Sequence, residues 1–306
     1  DYSAPAVGPR GRTACFSGDS SLSYLTYKRQ SRFHPLSLPL PIPYFQMPLS
    51  RNSVALITAS SAGLGAATAK ALAASGVRVV INYNSNQAKA DTILQELQDL
   101  QPTSSSTEKE TTPRFHAIRA DVSQRSSLFS LIEETVKVMG RLDLLVSNHG
   151  WTKIRDFADL DDNVEESDWD TCFNMNVKSH LWAFHAARKY LDESEGSFIT
   201  TASLAGVVPS GSSVAYSVTK AAQIHLVKSL AKISGPRIRV NSVSPGLLLT
   251  EWGRQFPAEK VQITTNKAVL KRTATIEDVA NQILCLANSS SQTGTNSVID
   301  AGFILG

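Results

Sequence analysis

Residues 53–83 read SVALITASSAGLGAATAKALAASGVRVVINY, and this stretch decides the architecture. SVALIT (53–58) is a short, nearly continuous apolar run of strand type, the pattern of a strand covered on both faces. It breaks at Ala59-Ser60-Ser61-Ala62-Gly63-Leu64-Gly65, and the alanine-rich run AATAKALAAS (66–75) that follows favours a helix. VRVVINY (77–83) is a second apolar strand, so the segment predicts a βαβ unit, whose two strands are parallel. Gly63 and Gly65 allow a close approach of the backbone to an anion, and the helix start adds unpaired N–H groups and the positive end of its dipole. In this strand–turn–helix context the spacing fits the pyrophosphate of a dinucleotide. The bare alternative is a structural βαβ turn that holds no ligand.

The alternation continues along the chain. FHAIR (115–119), LLVS (144–147), SFIT (197–200) and IRVNSVS (238–244) read as strands, with helical patterns near 165–192 and 214–233 between them. Alternating β and α segments with apolar strands predict an α/β fold, a doubly wound parallel sheet with helices on both faces. We expect about seven strands in a single domain spanning 47–306. QPTSSSTEKETTPR (101–114) is polar and low in complexity and reads as a solvated loop.

A second constellation carries chemistry. Between Ser203 and Lys220 the chain reads SLAGVVPSGSSVAYSVTK. Tyr216 and Lys220 stand four apart on a helical pattern and so share a face. Ser203 follows the strand SFIT. A phenol, an ammonium and a hydroxyl that converge make a proton-donating site for a carbonyl oxygen. The Lys220 ammonium is expected to lower the Tyr216 pKa from its ordinary value near ~10, as opposite charges do at short range. An ordinary surface Tyr–Lys pair is the alternative that the other motifs weigh against.

These motifs together resemble the short-chain dehydrogenase/reductase family of the classical type, including fungal members that carry SNHGW-like segments. The glycine pattern TGxxxGxG is matched by Thr58, Ala59, Gly63, Leu64 and Gly65, and the NNAG segment by Ser147-Asn148-His149-Gly150. The YxxxK element is matched by Tyr216 and Lys220, PGxxxT by Pro245-Gly246 and Thr250, and the further family positions by Ser203 and Asn176. The likeness runs from about Ser53 to the end of the chain. It implies hydride transfer between a nicotinamide and a ketone or aldehyde and its alcohol, with Asn176, Ser203, Tyr216 and Lys220 catalytic. It also implies cofactor contacts from Ser61, Gly63, Leu64, Gly65, Asn84, Ser85, Asp121, Val122, Asn148, Gly150, Tyr216, Lys220, Pro245, Gly246, Leu248 and Thr250. Tyr216 would serve as acid or base, Ser203 would steady the substrate oxygen, Lys220 would also hold the ribose, and Asn176 would support a water-linked relay. A homodimer or homotetramer, paired through the helices carrying Asn176 and Tyr216, is implied as well. The same fold hosts non-redox enzymes and nucleotide-binding scaffolds, and these are the alternative functions.

Three positions depart from the family pattern. Ala59 replaces a glycine and is expected to fit with a negative φ. Ser147 replaces an asparagine. His149 replaces a small residue beside the expected ribose site.

The cofactor can be argued from the end of the second strand, where readers of NAD place an acid for the ribose 2′-OH. Here the residues are Asn82-Tyr83-Asn84-Ser85-Asn86, with no acid, and the nearest positive charge along the chain is Lys89. Neutral donors suit a 2′-phosphate, so NADP(H) is favoured over NAD(H). Trp151, Trp252 and Phe256 are candidate walls of an apolar, aromatic substrate pocket. That wall suits a cyclic or aromatic ketone.

Composition excludes several classes. The 306 residues carry a net charge of +3, and residues 1–46, with five basic and two acidic side chains, supply all of it. The remaining body is near neutral, which gives no electrostatic case for nucleic acid or a membrane surface. No run of 18 or more apolar residues exists to span a bilayer. Cys15, Cys172 and Cys285 form neither a disulfide framework nor a metal-ligand spacing, so a reducing, cytoplasmic location with no metal is expected. Residues 1–46 are rich in Ser, Pro and Arg and stand apart as a leader without expected order. They fit an overextended gene start, an expression-vector remnant, or a transit peptide that would place the protein in mitochondria.

Overall fold

The computed structural model describes residues 49–100 and 112–306; the leader 1–46 and most of the loop 101–114 lie outside them. Seven strands form one sheet: β1 (Val54–Ile57), β2 (Arg78–Tyr83), β3 (Phe115–Arg119), β4 (Leu144–Ser147), β5 (Ser197–Thr201), β6 (Arg239–Pro245) and β7 (Asn296–Ile299). Their order is β3-β2-β1-β4-β5-β6-β7, and every neighbouring pair is parallel.

The strands are apolar throughout because both faces are covered. Along β1 the side chains alternate: Val54 and Leu56 enter one core with Val80, Leu145, Phe198 and Val240. Ala55 and Ile57 enter the other with Val79, Ile81, Leu144 and Val146. The first core is closed by helices α3 (Arg125–Met139), α5 (Ser179–Glu193) and α6 (Val214–Ser234). The second is closed by α1 (Gly63–Ala74), α2 (Gln87–Asp99) and α8 (Ile276–Asn288). Each fully buried Leu or Ile contributes about 1.5–3 kcal/mol, so the two cores together fix the register of the sheet.

Two further helices shape the site. α4 (Glu166–Phe173) runs through a π-helical turn, Asn174–Lys178, directly into α5, so the helix expected near 165–192 is one continuous rod with a widened turn at Asn176. π-turns inside helices recur at functional positions. α7 (Ala258–Lys267) carries no buried residue and stands over the carboxyl ends of the strands. Among the described residues, no helix is long and apolar enough to cross a membrane.

The strand order reverses between β1 and β4. The loop after β1 leads to one side of the sheet and the loop after β4 to the other, which leaves a crevice at the carboxyl edge. That crevice is where the motifs meet.

Candidate active site

The turn after β1 is tied down from two sides. Asn82, the last buried residue of β2, accepts from the backbone N–H of Ala59 at 3.0 Å through Oδ1 and donates to the carbonyl of Ala120 at 3.1 Å through Nδ2. From β4, the N–H of Asn148 donates to Thr58 Oγ1 at 2.8 Å, and Asn148 Nδ2 donates to the Thr58 carbonyl at 3.2 Å. Gly65 is held so tightly that a Cβ there would lie 2.5 Å from the Ala59 carbonyl oxygen and 2.7 Å from Ser60 Cα. Ala62 leads into α1 without a side-chain cap, so the first N–H groups of the helix are available to a ligand. A close-packed glycine turn and an uncapped twelve-residue helix fit the pyrophosphate of a dinucleotide.

One expectation fails here. Ala59 has φ +49°, in the left-handed region, not a negative φ. The hydrogen bond that the Ala59 N–H donates to Asn82 and the close approach of Gly65 hold the turn in the conformation that glycine adopts freely, and alanine bears the strain.

Ser203, Tyr216 and Lys220 come together on the far side of the crevice. Ser203 ends the loop after β5 and accepts from the N–H of Ala205 at 3.2 Å, opening a 3₁₀ turn at Leu204–Gly206. A Cβ on Gly206 would lie 2.5 Å from the Lys220 carbonyl carbon, so this turn sits directly on α6 and sets Ser203 against Tyr216. Ser213 caps α6 by accepting from the N–H of Tyr216 at 3.2 Å. Lys220 is buried, with its ammonium 5.6 Å from the centre of the Tyr216 ring and donating to the Thr201 carbonyl at 2.8 Å.

The electrostatics differ from the sequence expectation. Burial pushes the Tyr216 phenol up to about 12, and polar contact with Ser203 only partly offsets this. Burial also brings the Lys220 ammonium down to about 7. Desolvation disfavours both charged forms and is the largest cause of each shift. Near neutral pH the phenol is therefore protonated, while Lys220 lies close to the midpoint of its own titration.

Asn176, buried on the π-turn, spends its side chain on structure. Its Oδ1 accepts from the N–H of Trp151 at 2.8 Å, and its Nδ2 donates to the Trp151 carbonyl at 2.9 Å and to Thr219 Oγ1 at 3.0 Å. His149 is also enclosed. It stacks on His180 with ring centres 4.3 Å apart, meets Thr58 Oγ1 at 2.9 Å and Ser179 Oγ at 2.7 Å, and burial holds its pKa down to about 3. It is a neutral strut beneath the site.

A cavity of about 600 Å³ opens between these groups. Ser203, Tyr216 and Lys220 line it, as do Gly63, Leu64, Asn148, Gly150, Pro245, Gly246, Leu248 and Thr250. All three aromatic candidates, Trp151, Trp252 and Phe256, lie on its wall, the last two packed edge to face at 5.2 Å. The remaining cofactor candidates continue along the same edge of the sheet. Ser61 follows β1, exposed Asn84 and Ser85 follow β2, and Asp121 and buried Val122 follow β3. Asp121 accepts from the N–H of Ser123 at 2.9 Å.

Around Asn84 the structure corrects two readings. Asn82 is consumed by backbone contacts, and Asn86 caps α2 through Oδ1, accepting from the N–H of Lys89 at 3.0 Å, so Asn84, Ser85 and the Nδ2 of Asn86 remain as neutral donors. Lys89 pairs with both carboxylate oxygens of Glu251 at 2.8 Å. Arg119 also meets the loop: its Nε donates to the Asn84 carbonyl at 2.9 Å. It stands 35 residues from Asn84, and only the pairing of β2 with β3 brings them together.

Comparison with known proteins agrees with this geometry. The family model described as enoyl-(acyl carrier protein) reductase matches residues 58–304. The protein named as ketoacyl reductase 2 of the granaticin polyketide synthase of Streptomyces violaceoruber is 35% identical over 255 residues, covering 81% of this chain and 95% of that one. A short-chain dehydrogenase of Burkholderia cenocepacia solved with NADP superposes with a TM-score of 0.72 at 29% identity, over 83% of this chain and 98% of that one. A 7α-hydroxysteroid dehydrogenase solved with NADH and 7-oxo glycochenodeoxycholic acid gives 0.73 at 25% identity, over 82% and 93%. A glycine turn leading into an uncapped helix, a Ser–Tyr–Lys set on one cavity and these relatives converge: the chain belongs to the short-chain dehydrogenase/reductase family of nicotinamide-dependent oxidoreductases.

Proposed function

We propose that the protein is an NADP(H)-dependent oxidoreductase that interconverts a ketone or aldehyde with its alcohol, using Tyr216 as the acid and base. The observation that carries this is one cavity lined both by Ser203, Tyr216 and Lys220 and by the glycine turn at Gly63. In the reducing direction Tyr216, protonated up to about pH 12, donates its phenolic proton to the carbonyl oxygen. The Ser203 hydroxyl donates a hydrogen bond to the same oxygen as negative charge develops there. Lys220 stabilises the phenolate left behind, because a cation 5.6 Å from the ring interacts more strongly in a buried site than in water. Asn176 holds Trp151 and Thr219 and so keeps the cavity wall in register with α6. A reduced nicotinamide, when bound, supplies the hydride; Gly63, Leu64, Asn148, Gly150, Lys220 and Thr250 are the residues that would hold it.

The preference for NADP(H) is supported by the absence of an acid after β2 and by Arg119 beside exposed Asn84 and Ser85. A guanidinium pairs more strongly with a phosphate than with a bare 2′-hydroxyl. Trp151, Trp252 and Phe256 support a cyclic or aromatic ketone as substrate, and a relative that takes a steroid ketone points the same way. Exposed Phe173, Leu181 and Val218 on α4, α5 and α6 support pairing of two copies through these helices. Analytical ultracentrifugation showing a clean monomer would remove that last reading. The cofactor reading is tested by titrating NADPH and NADH by fluorescence. Tighter NADPH binding is expected, and a preference for NADH overturns it while leaving Tyr216 untouched.

A further inference from the structure

Gln223 lies three residues beyond Lys220 on α6 and is fully buried. Lysine only donates, so the amide must turn its oxygen toward it; Lys220 Nζ donates to Gln223 Oε1 at 2.9 Å. This settles the other end of the amide, where Nε2 donates to Thr200 Oγ1 and, at 3.3 Å, to the Thr201 carbonyl. The Thr200 hydroxyl meets His180 Nδ1 at 3.3 Å, and His180 Nδ1 meets Ser147 Oγ at 2.7 Å. A connected polar chain thus runs from the lysine through α6 and β5 to α5 and β4.

We propose that Gln223 is a positioning residue that fixes the Lys220 ammonium and favours its charged form. This rests on the reading of Tyr216 and Lys220 as the reacting pair. Of the three N–H bonds of the ammonium, one goes to the Thr201 carbonyl and one to Gln223, which leaves one for a ligand in the cavity that Lys220 lines. The titratable groups facing it are Tyr216 on its own helix, Cys172 on α4, His149 after β4 and His180 on α5. Among the described residues it pairs with no carboxylate, so the oxygens of Thr201 and Gln223, together with Cys172 nearby, oppose the cost of burying its charge. An apolar side chain at 223 would fill the core equally well. It would leave Lys220 one acceptor short and Thr200 without its donor.

The test is NADPH titration of wild type, Gln223→Met, Gln223→Glu and Lys220→Met at a series of pH values from mildly acidic to alkaline, with NADH in parallel and a melting temperature for each. Wild-type affinity is expected to weaken as pH rises through the lysine's titration. Gln223→Met should weaken about one pH unit earlier and Gln223→Glu about one unit later, the size of effect one lost or gained partner produces. Lys220→Met should bind weakly at every pH. A Gln223→Met curve that superimposes on wild type, while Lys220→Met is weak, overturns the positioning role and leaves the catalytic reading standing. Tight, pH-independent binding by Lys220→Met overturns the reading of Lys220 itself. Should Gln223→Met fail to fold, Gln223→Glu decides, since an unmoved midpoint there contradicts the proposal.

Discussion

The ammonium of Lys220 and the ring of Tyr216 are 5.6 Å apart, and burial moves their pKa values toward the two neutral forms, to about 7 and about 12. Stability rises with pH wherever the unfolded chain binds more protons than the folded one. For Lys220 that window runs from about 7 to its ordinary value of 10.5. Above the ordinary tyrosine value of 10.0 the folded chain keeps the phenolic proton that the unfolded chain loses, and the trend reverses. Denaturation by urea should therefore show stability climbing through the mildly alkaline range in wild type relative to Lys220→Met. Parallel pH curves for the two proteins would contradict the burial-driven shift.

Arg119 should set the choice of cofactor. Replacement by Gln removes a charge that faces Asn84 without disturbing a buried group. NADPH affinity should fall about tenfold, the ~1.4 kcal/mol typical of an accessible charge-assisted contact, while NADH affinity stays level. Equal loss for both cofactors would place Arg119 in a general structural role.

Ala59→Gly should stabilise the fold. The left-handed backbone at φ +49° costs alanine about 1 kcal/mol relative to glycine. The greater freedom of glycine in the unfolded chain offsets part of that, so a gain of about 0.5 kcal/mol is expected in urea denaturation. A destabilised variant would show that the Ala59 methyl group contributes packing that exceeds its strain.

Asn82→Ala should act on stability, not on cofactor choice. The side chain satisfies the N–H of Ala59 through a part-buried contact and the carbonyl of Ala120 through a buried one, and its loss should cost about 2–3 kcal/mol. The ratio of NADPH to NADH affinity should not move in the variant, measured by the same titration.

Asn82 also shows where the sequence stops being readable. Strand type, helix type and the βαβ order follow from runs of apolar residues, since a strand covered on both faces has no choice of composition, and β1 to β6 lie within a residue of where those runs place them. The Ser203–Tyr216–Lys220 set was legible because two of its members are a helical turn apart and the third ends a strand. Contacts across strands were not. Asn82 looked like a loop donor, yet β2 points it into the sheet; Arg119 joins Asn84 only through the β2–β3 pairing. The sign of the Tyr216 shift was likewise hidden, because it depends on how much water burial removes. Gln223 had a readable signal: spaced three from Lys220, it lies on the same helical face.

The most direct measurement is the oxidation of NADPH by wild type and Tyr216→Phe with a bicyclic aromatic ketone such as 1-tetralone, alongside cofactor binding by both. Loss of the phenolic proton of Tyr216 should lower kcat by about a thousandfold or more with NADPH affinity little changed. A Tyr216→Phe enzyme that reduces the ketone at the wild-type rate would contradict the assignment of Tyr216 as the acid.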